Sequence, residues 1–432
     1  MVGSARRRLS IGLLAGALLT PIAAAGDVAD VLRGVDTEAA AVAAQATLAQ
    51  ADLAEVFQVL ADGTLPLPGI DPDEVAFGTM VATALTDLQR QCARDAVSAM
   101  PATTFRQFLI REVTPETSRG MRKTALQLLT PMSERGDLAY GLALAEDDLP
   151  RLARDFEAFV ASLLVHDAQA YSLVQAQLAT KNADLRAALI RGIGAAGDER
   201  GLRLLNRFLF GDDDHIELLL EQVARLARSN PQSDVDTVAT SVRHFLTSDE
   251  PNVVAAAALA LGAFSDSAAI PELIELADHD SGSVRAGVKS SLRELTGMRF
   301  PTSRRWFLWY EAEREWWDTR WPSLASGLRS ADRETITSLL AETIGKRLER
   351  DWLATEVSGL LAHDDELVRR LACQNLGQLG TDSVIPDLLG AMTDFDEAVA
   401  KTAWQSLREV TQMDLPFDSA ACSQILEEAR DQ

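Results

Sequence analysis

The chain has 432 residues, 47% of them apolar, and carries 64 acidic against 41 basic side chains for a formal charge of −23. That balance argues against nucleic acid and anionic lipid, whose binders concentrate Lys and Arg on one face; it reads first as solubility and second as attraction for a basic partner. Cys92, Cys373 and Cys422, odd in number and far apart, exclude a disulfide framework and CxxC metal spacing. Burial as small apolar groups is their expected state, with a Cys373 to Cys422 bridge as the alternative in an oxidising compartment.

In chain order, Arg6, Arg7 and Arg8 precede an apolar run from Ile11 to Leu19 and then Ala23, Ala24 and Ala25. This is the pattern of a signal peptide over 1–25, cleaved near Ala25. Its apolar run is shorter than the about 20 residues of a membrane span, and no later segment is longer or less charged. Leu9 and Ser10 do not complete a twin-arginine pattern, and no cysteine precedes Cys92 to carry a lipoprotein anchor. A periplasmic or secreted protein is expected, with a mature charge of −26 once three leader arginines and no acid are removed from the −23 of the full chain.

Residues 26–118 are expected to form an N-terminal helical cap. The stretch 36–60 reads as one alanine-rich helix ended by Gly63, followed by the connector Leu65-Pro66-Leu67-Pro68-Gly69. Asp71-Pro72-Asp73-Glu74 then supplies an N-cap, a first-turn proline and an early acid for the next helix. The alternating acids and distal Glu of a calcium loop are missing there.

The deciding signal is self-similarity. Residues 249–301 align without a gap on 364–416, 115 positions later, pairing Val253 with Val368, Gly262 with Gly377, Pro271 with Pro386 and Ser291-Leu292-Arg293-Glu294 with Ser406-Leu407-Arg408-Glu409. A shorter step of 31 separates Val253 from Val284, Val368 from Val399 and Leu185 from Ile216. Val284, Val288, Leu292 and Leu295 make one apolar helix stripe, with Arg285, Lys289 and Arg293 off it in water. Asp249, Asp280 and Asp364 stand where N-caps are expected, and Pro271 and Pro386 fall in the first turn of a second helix. One such hairpin cannot bury its stripe alone; stacked on neighbours it can. Weaker echoes at Met121, Leu152 and Ile336 extend the tiling, giving repeats over 119–299 and 326–432.

Leu367-Val368-Arg369 through Asn375-Leu376-Gly377, and Ser283-Val284-Arg285 through Leu292, resemble HEAT repeats, particularly the short bacterial kind related to those of phycobiliprotein lyases. The resemblance covers roughly residues 120 to 430 and implies an all-α fold, an alpha-alpha superhelix with an N-terminal helical cap. It also implies a non-catalytic protein-interaction scaffold, its second helices lining a concave face for an extended partner. The lyase relatives keep an enzyme reading open, which an exported chain disfavours.

Between the repeats, 300–325 is expected to be a tryptophan-rich helical insertion. Trp306, Trp309, Tyr310, Trp316, Trp317 and Trp321 crowd into it, and Trp306, Trp309, Tyr310 and Trp317 fall at helical spacing. One reading is an exposed platform for a protein, peptide or glycan, with Trp306, Trp309 and Trp317 stacking on sugars; the other is a helix packed over the solenoid edge.

No GxSxG, HExxH, phosphate loop or dinucleotide fingerprint occurs, so no catalytic residue, cofactor or metal is assigned. His279-Asp280, His363-Asp364 and His166-Asp167 recur at turns and read as structural. Asp212-Asp213-Asp214-His215 precedes a repeat start and reads as helix capping in preference to a metal site.

Overall fold

The computed structural model describes residues 28–49, 51–66, 82–211, 214–230, 236–330 and 332–430. The expected leader at 1–25, connector residues 67–69, the Asp71-Pro72-Asp73-Glu74 helix start, and Asp212 with Asp213 lie outside them. Two compact units divide the chain, 1–163 and 164–432.

The first unit runs through α1 (Val28–Arg33), α2 (Glu38–Leu48), α3 (Leu53–Asp62), β1 (Thr64–Pro66), β2 (Ala82–Ala84), α4 (Asp87–Ser98), α5 (Ala102–Glu112), α6 (Arg119–Leu129), α7 (Leu138–Ala145) and most of α8 (Leu149–His166). The single helix expected over 36–60 is two. Asp52 accepts from the Ala54 amide and caps a new helix, so α2 stops and α3 starts in the middle of the alanine-rich stretch. Gly63 does end α3, in the left-handed region at φ 66°. Thr64 and the first two connector residues, Leu65 and Pro66, pair with Ala84, Thr83 and Ala82 as a short antiparallel ladder. Phe57, Phe105, Phe156 and Phe159 are the large side chains buried in this unit. Gly120 is required where α6 meets α3, because a Cβ there would lie 2.5 Å from the Ala61 carbonyl oxygen.

The second unit is an alpha-alpha superhelix of stacked helix pairs. Longer helices α10 (Ala183–Ala196), α12 (Ile216–Ser229), α14 (Pro251–Ala263) and α16 (Gly282–Thr296) pack side by side in order. After α17 (Ser303–Thr319) and α18 (Trp321–Ser330), the series resumes with α19 (Arg333–Thr343), α21 (Glu366–Leu379) and α23 (Glu397–Thr411). Alternating with these are the partner helices α9 (Ala170–Gln177), α11 (Glu199–Asn206), α13 (Asp236–Arg243), α15 (Ile270–Glu275), α20 (Arg350–Ser358) and α22 (Ile385–Ala391), all shorter, and the chain closes on α24 (Ser419–Arg430). The starts of α14 and α16, and of α21 and α23, are each 31 residues apart, the step read from the sequence.

The expected stripe is the core: Val284, Val288 and Leu292 are fully buried and Leu295 nearly so. Each such side chain contributes about 1.5 to 3 kcal/mol by leaving water. The close approach of successive long helices depends on small residues. A Cβ on Gly262 would lie 3.0 Å from Ser291 Oγ, and one on Gly377 would lie 2.6 Å from Ser406 Cβ. Pro271 and Pro386 occupy the first turns of α15 and α22, where an amide donor is not missed.

The caps fall one residue later than expected. Asp365, not Asp364, accepts from the Leu367 and Val368 amides; Glu250 and Ser281 hold the other N-cap positions without a side-chain bond. The preceding histidines explain the shift. His279 Nδ1 accepts from the Ser281 amide and His363 Nδ1 from the Asp365 amide, both at 3.0 Å, so each His-Asp pair forms a turn that ends before the helix begins. Arg285 and Arg369 donate to the carbonyls of these turns. Of the run expected to cap α12, His215 holds the N-cap position without a side-chain cap bond, and Asp212 and Asp213 lie outside the described residues. Cys92, Cys373 and Cys422 are all free and buried, and burial pushes the Cys373 thiol up to about 12.

Candidate functional site

The aromatic stretch folds as α17 and the first turn of α18. Thr302 caps α17, accepting from the Arg305 amide, and Asp278 fixes its entry by accepting from both the amide and the hydroxyl of Ser303. Those two bonds hold the Asp278 carboxyl below the usual carboxylate range, and nearby Lys289 and Arg285 add to the effect.

The six aromatic candidates do not share one surface. Trp306 is 1% exposed, its ring edge-on to Phe300 at 4.8 Å and to Trp309 at 5.7 Å. Trp316, Trp317 and Trp321 belong to a second group, completed by Trp352 of α20, with Trp317 at 5.2, 5.0 and 5.6 Å from Trp316, Trp321 and Trp352. Lys346 lies over the Trp316 ring at 4.7 Å. Trp321 is buried in the core around Leu353, Val357 and Leu376, with Trp316 and Trp317 packed against it. Tyr310 is half-buried, and burial pushes its phenol up. Trp306 and Trp317 therefore sit in different ring groups, the first buried and the second partly so, and do not form one open face. The exposed apolar residues of α17 are instead Phe307, at 53%, and Leu308, at 60%.

One buried acid ties α17 to the turn before α20. Glu313 is 6% exposed; its Oε2 accepts from the amides of Arg347 and Leu348 at 2.8 and 3.1 Å, and its Oε1 lies 3.5 Å from Lys346 Nζ. A carboxylate with three donors replaces its lost hydration, so the burial is tolerable. In the sequence alone Glu313 reads as one more solvent acid of an acidic chain.

Between α16 and α17 lies a cleft of about 410 Å³ lined by Ala286, Lys289, Ser290, Arg293, Arg299, Phe300 and Trp306. Three of its seven lining residues are cations, and none forms an ion pair among the described residues. The Trp306 Nε1 is buried with no hydrogen-bond partner among the described residues. Lys289 and Arg293 were expected off the apolar stripe in water, and Arg293 is exposed and Lys289 partly so, but their convergence on one cleft with Arg299 was not anticipated. The local signal was there: residues 282–305 hold six cations and a single acid, Glu294. A whole-chain charge averages it away.

A family model described as HEAT repeats matches residues 222–293 and 322–431. No curated protein sequence matches the chain. Among solved structures, the complex of CpcE and CpcF of phycocyanin lyase from Nostoc sp. PCC7120 is 16% identical, covering 77% of this chain and 98% of that one, with a TM-score of 0.32. An engineered protein is 12% identical over 89% and 99% of the two chains at a TM-score of 0.33. Kap95p, in a structure with RanGDP, is 13% identical over 89% of this chain and 56% of its own at 0.38. Residues 294–321, with α17 and one wall of the cleft, fall between the two family matches. Residues 222–293 and 322–431 are thus HEAT repeats, an array of the kind that typically serves as a protein-interaction scaffold.

Proposed function

We propose that this protein is a non-catalytic protein-interaction scaffold acting outside the cytoplasm, with the exposed side of α17 as part of its docking surface. The observation that carries the reading is the repeat array itself, in which every long helix spends its apolar stripe on a neighbour and leaves the remaining surface for contact. Phe307 and Leu308, exposed and adjacent on a helix whose other aromatics are packed inward, are the residues a partner would cover. The leader-like segment at 1–25 supports a periplasmic or secreted location. No helix among the described residues is long and apolar enough to cross a membrane.

Crosslinking and mass spectrometry of the tagged protein in its native envelope tests this. Crosslinks from α17 to one recurrent protein, lost in Phe307→Ser/Leu308→Ser, are expected. A protein found in the cytoplasm, or one whose crosslinks ignore those substitutions, would defeat the reading. The glycan alternative built on Trp306, Trp309 and Trp317 draws no support from the geometry, since sugar stacking needs an open ring face.

A further inference from the structure

The two aligned copies treat one position of the repeat in opposite ways. In the second copy α23 carries Trp404, whose Nε1 donates to the Leu415 carbonyl at 2.9 Å and whose ring packs edge-on against Phe417 at 5.7 Å. Arg408 lies over that ring and is paired with Asp414 at 2.5 Å. The same alignment places Lys289 opposite Trp404, Arg293 opposite Arg408, Arg299 opposite Asp414 and Phe300 opposite Leu415. The first copy therefore loses the indole that fills the space and exchanges the neutralising carboxylate for another cation. What results is the open cleft with Lys289, Arg293 and Arg299 on its lining.

Lys289, Arg293 and Arg299 line one cleft with no ion pair among the described residues, whereas in the second copy Arg408 has Asp414 beside it. Of the acids nearby, Asp278, whose charge reaches Lys289, is already engaged by Ser303, and Glu294 is paired with Arg228. The orphaned Trp306 N–H is a second deficit of the same sign, since a buried donor without an acceptor costs about 1 to 3 kcal/mol. An anion in the cleft answers the unbalanced cations, and the Trp306 indole lies on the same lining. We infer that this cleft is a binding site for an oxyanion, phosphate or carboxylate, carried on a compact apolar body. Arg293, Arg299 and Lys289 take the charge, Ser290 offers a hydroxyl, and Phe300 and Trp306 flank the apolar part. A cleft of about 410 Å³ has room for a substituted benzene ring carrying such a group. Neither Phe307 nor Leu308 lines the cleft, so binding there and docking on those two residues are tested by different substitutions.

Calorimetric titration of the whole protein with phenyl phosphate, benzoate, inorganic phosphate and, as a neutral control, benzyl alcohol tests it. Phenyl phosphate or benzoate is expected to bind and benzyl alcohol not, with affinity falling as salt is raised. The stronger of the two anions names the source, and inorganic phosphate binding more weakly than phenyl phosphate shows the apolar wall at work. Arg293→Gln should weaken binding about tenfold or more, the loss of one charge-assisted bond. Lys289→Trp/Arg299→Asp recreates the second copy and should abolish binding while keeping the thermal midpoint of the parent. Trp306→Phe, which keeps the packing and removes the donor, should weaken it less. Failure of every anion to bind the wild-type protein overturns the inference. So does undiminished binding to the folded double variant, which would make the interaction nonspecific.

Discussion

The copies at 249–301 and 364–416 share a framework and diverge at its margin. Both stack two long helices through a glycine facing a serine, Gly262 with Ser291 and Gly377 with Ser406, and both start the short helix with proline. Past the second long helix they part company. One packs Trp404 under Leu415 and Phe417; the other opens a basic cleft beside a tryptophan-rich helix. Interior positions are held in common because a change of one methylene is felt in a close-packed interface, whereas the outer face is free to take a new task.

This contrast can be broken most strongly at residues that only the second copy uses. Arg369 is 4% exposed and paired at 2.7 Å with Asp394, itself 10% exposed; the first copy has Val254 at that position. Arg369→Ala leaves the nearly buried Asp394 carboxylate with the Asp396 amide but no counter-charge and should cost about 3 kcal/mol in chemical denaturation, while Val254→Ala should cost about 1 to 2. Equal losses would mean the pair is no stronger than an apolar contact. Trp404→Ala should cost about 3 kcal/mol by leaving the margin of α23 unfilled, whereas Lys289→Ala, which removes a charge from an open cleft, should change the midpoint little.

A smaller difference is expected at the glycines. Gly377→Ala should lower stability by about 1 to 3 kcal/mol, since the added methyl meets Ser406 at 2.6 Å, and Gly262→Ala by less, its nearest contacts being at 3.0 Å. Differential scanning calorimetry would rank the two.

The mildest test is of pH. The hydrogen-bonded Arg369 guanidinium holds the Asp394 carboxyl below its usual range. Its contribution is therefore complete above the unfolded value of about 3.9 and is lost as pH falls through the lower folded value. Unfolding free energy should decline more steeply with acid below about pH 4 in the parent than in Asp394→Asn, and superimposable acid curves would show that Asp394 is not linked to folding.

Much of this was legible in the order of residues. The step of 31, the stripe from Val284 to Leu295 and the prolines at 271 and 386 all place their helices correctly, because each is a local pattern with a local cause. The misreadings share a different origin. An alanine-rich run hides its break, since Asp52 differs from its neighbours only in being able to cap. The tryptophans looked like one stripe because Phe300 and Trp352, which close their rings off, lie outside the helix that displays them. The cleft depends on which of two aligned copies keeps an indole, and Glu313 on a turn more than thirty residues away.

That last bond has a mechanical consequence. In a row of repeats each joined only to its neighbours, tension should peel the elements off one at a time. Glu313 ties the middle of α17 across α18 and α19 to the turn before α20. A pull from the C-terminus is thereby expected to stall at this brace, after the terminal pairs have opened, until one carboxylate lets go of two amides together.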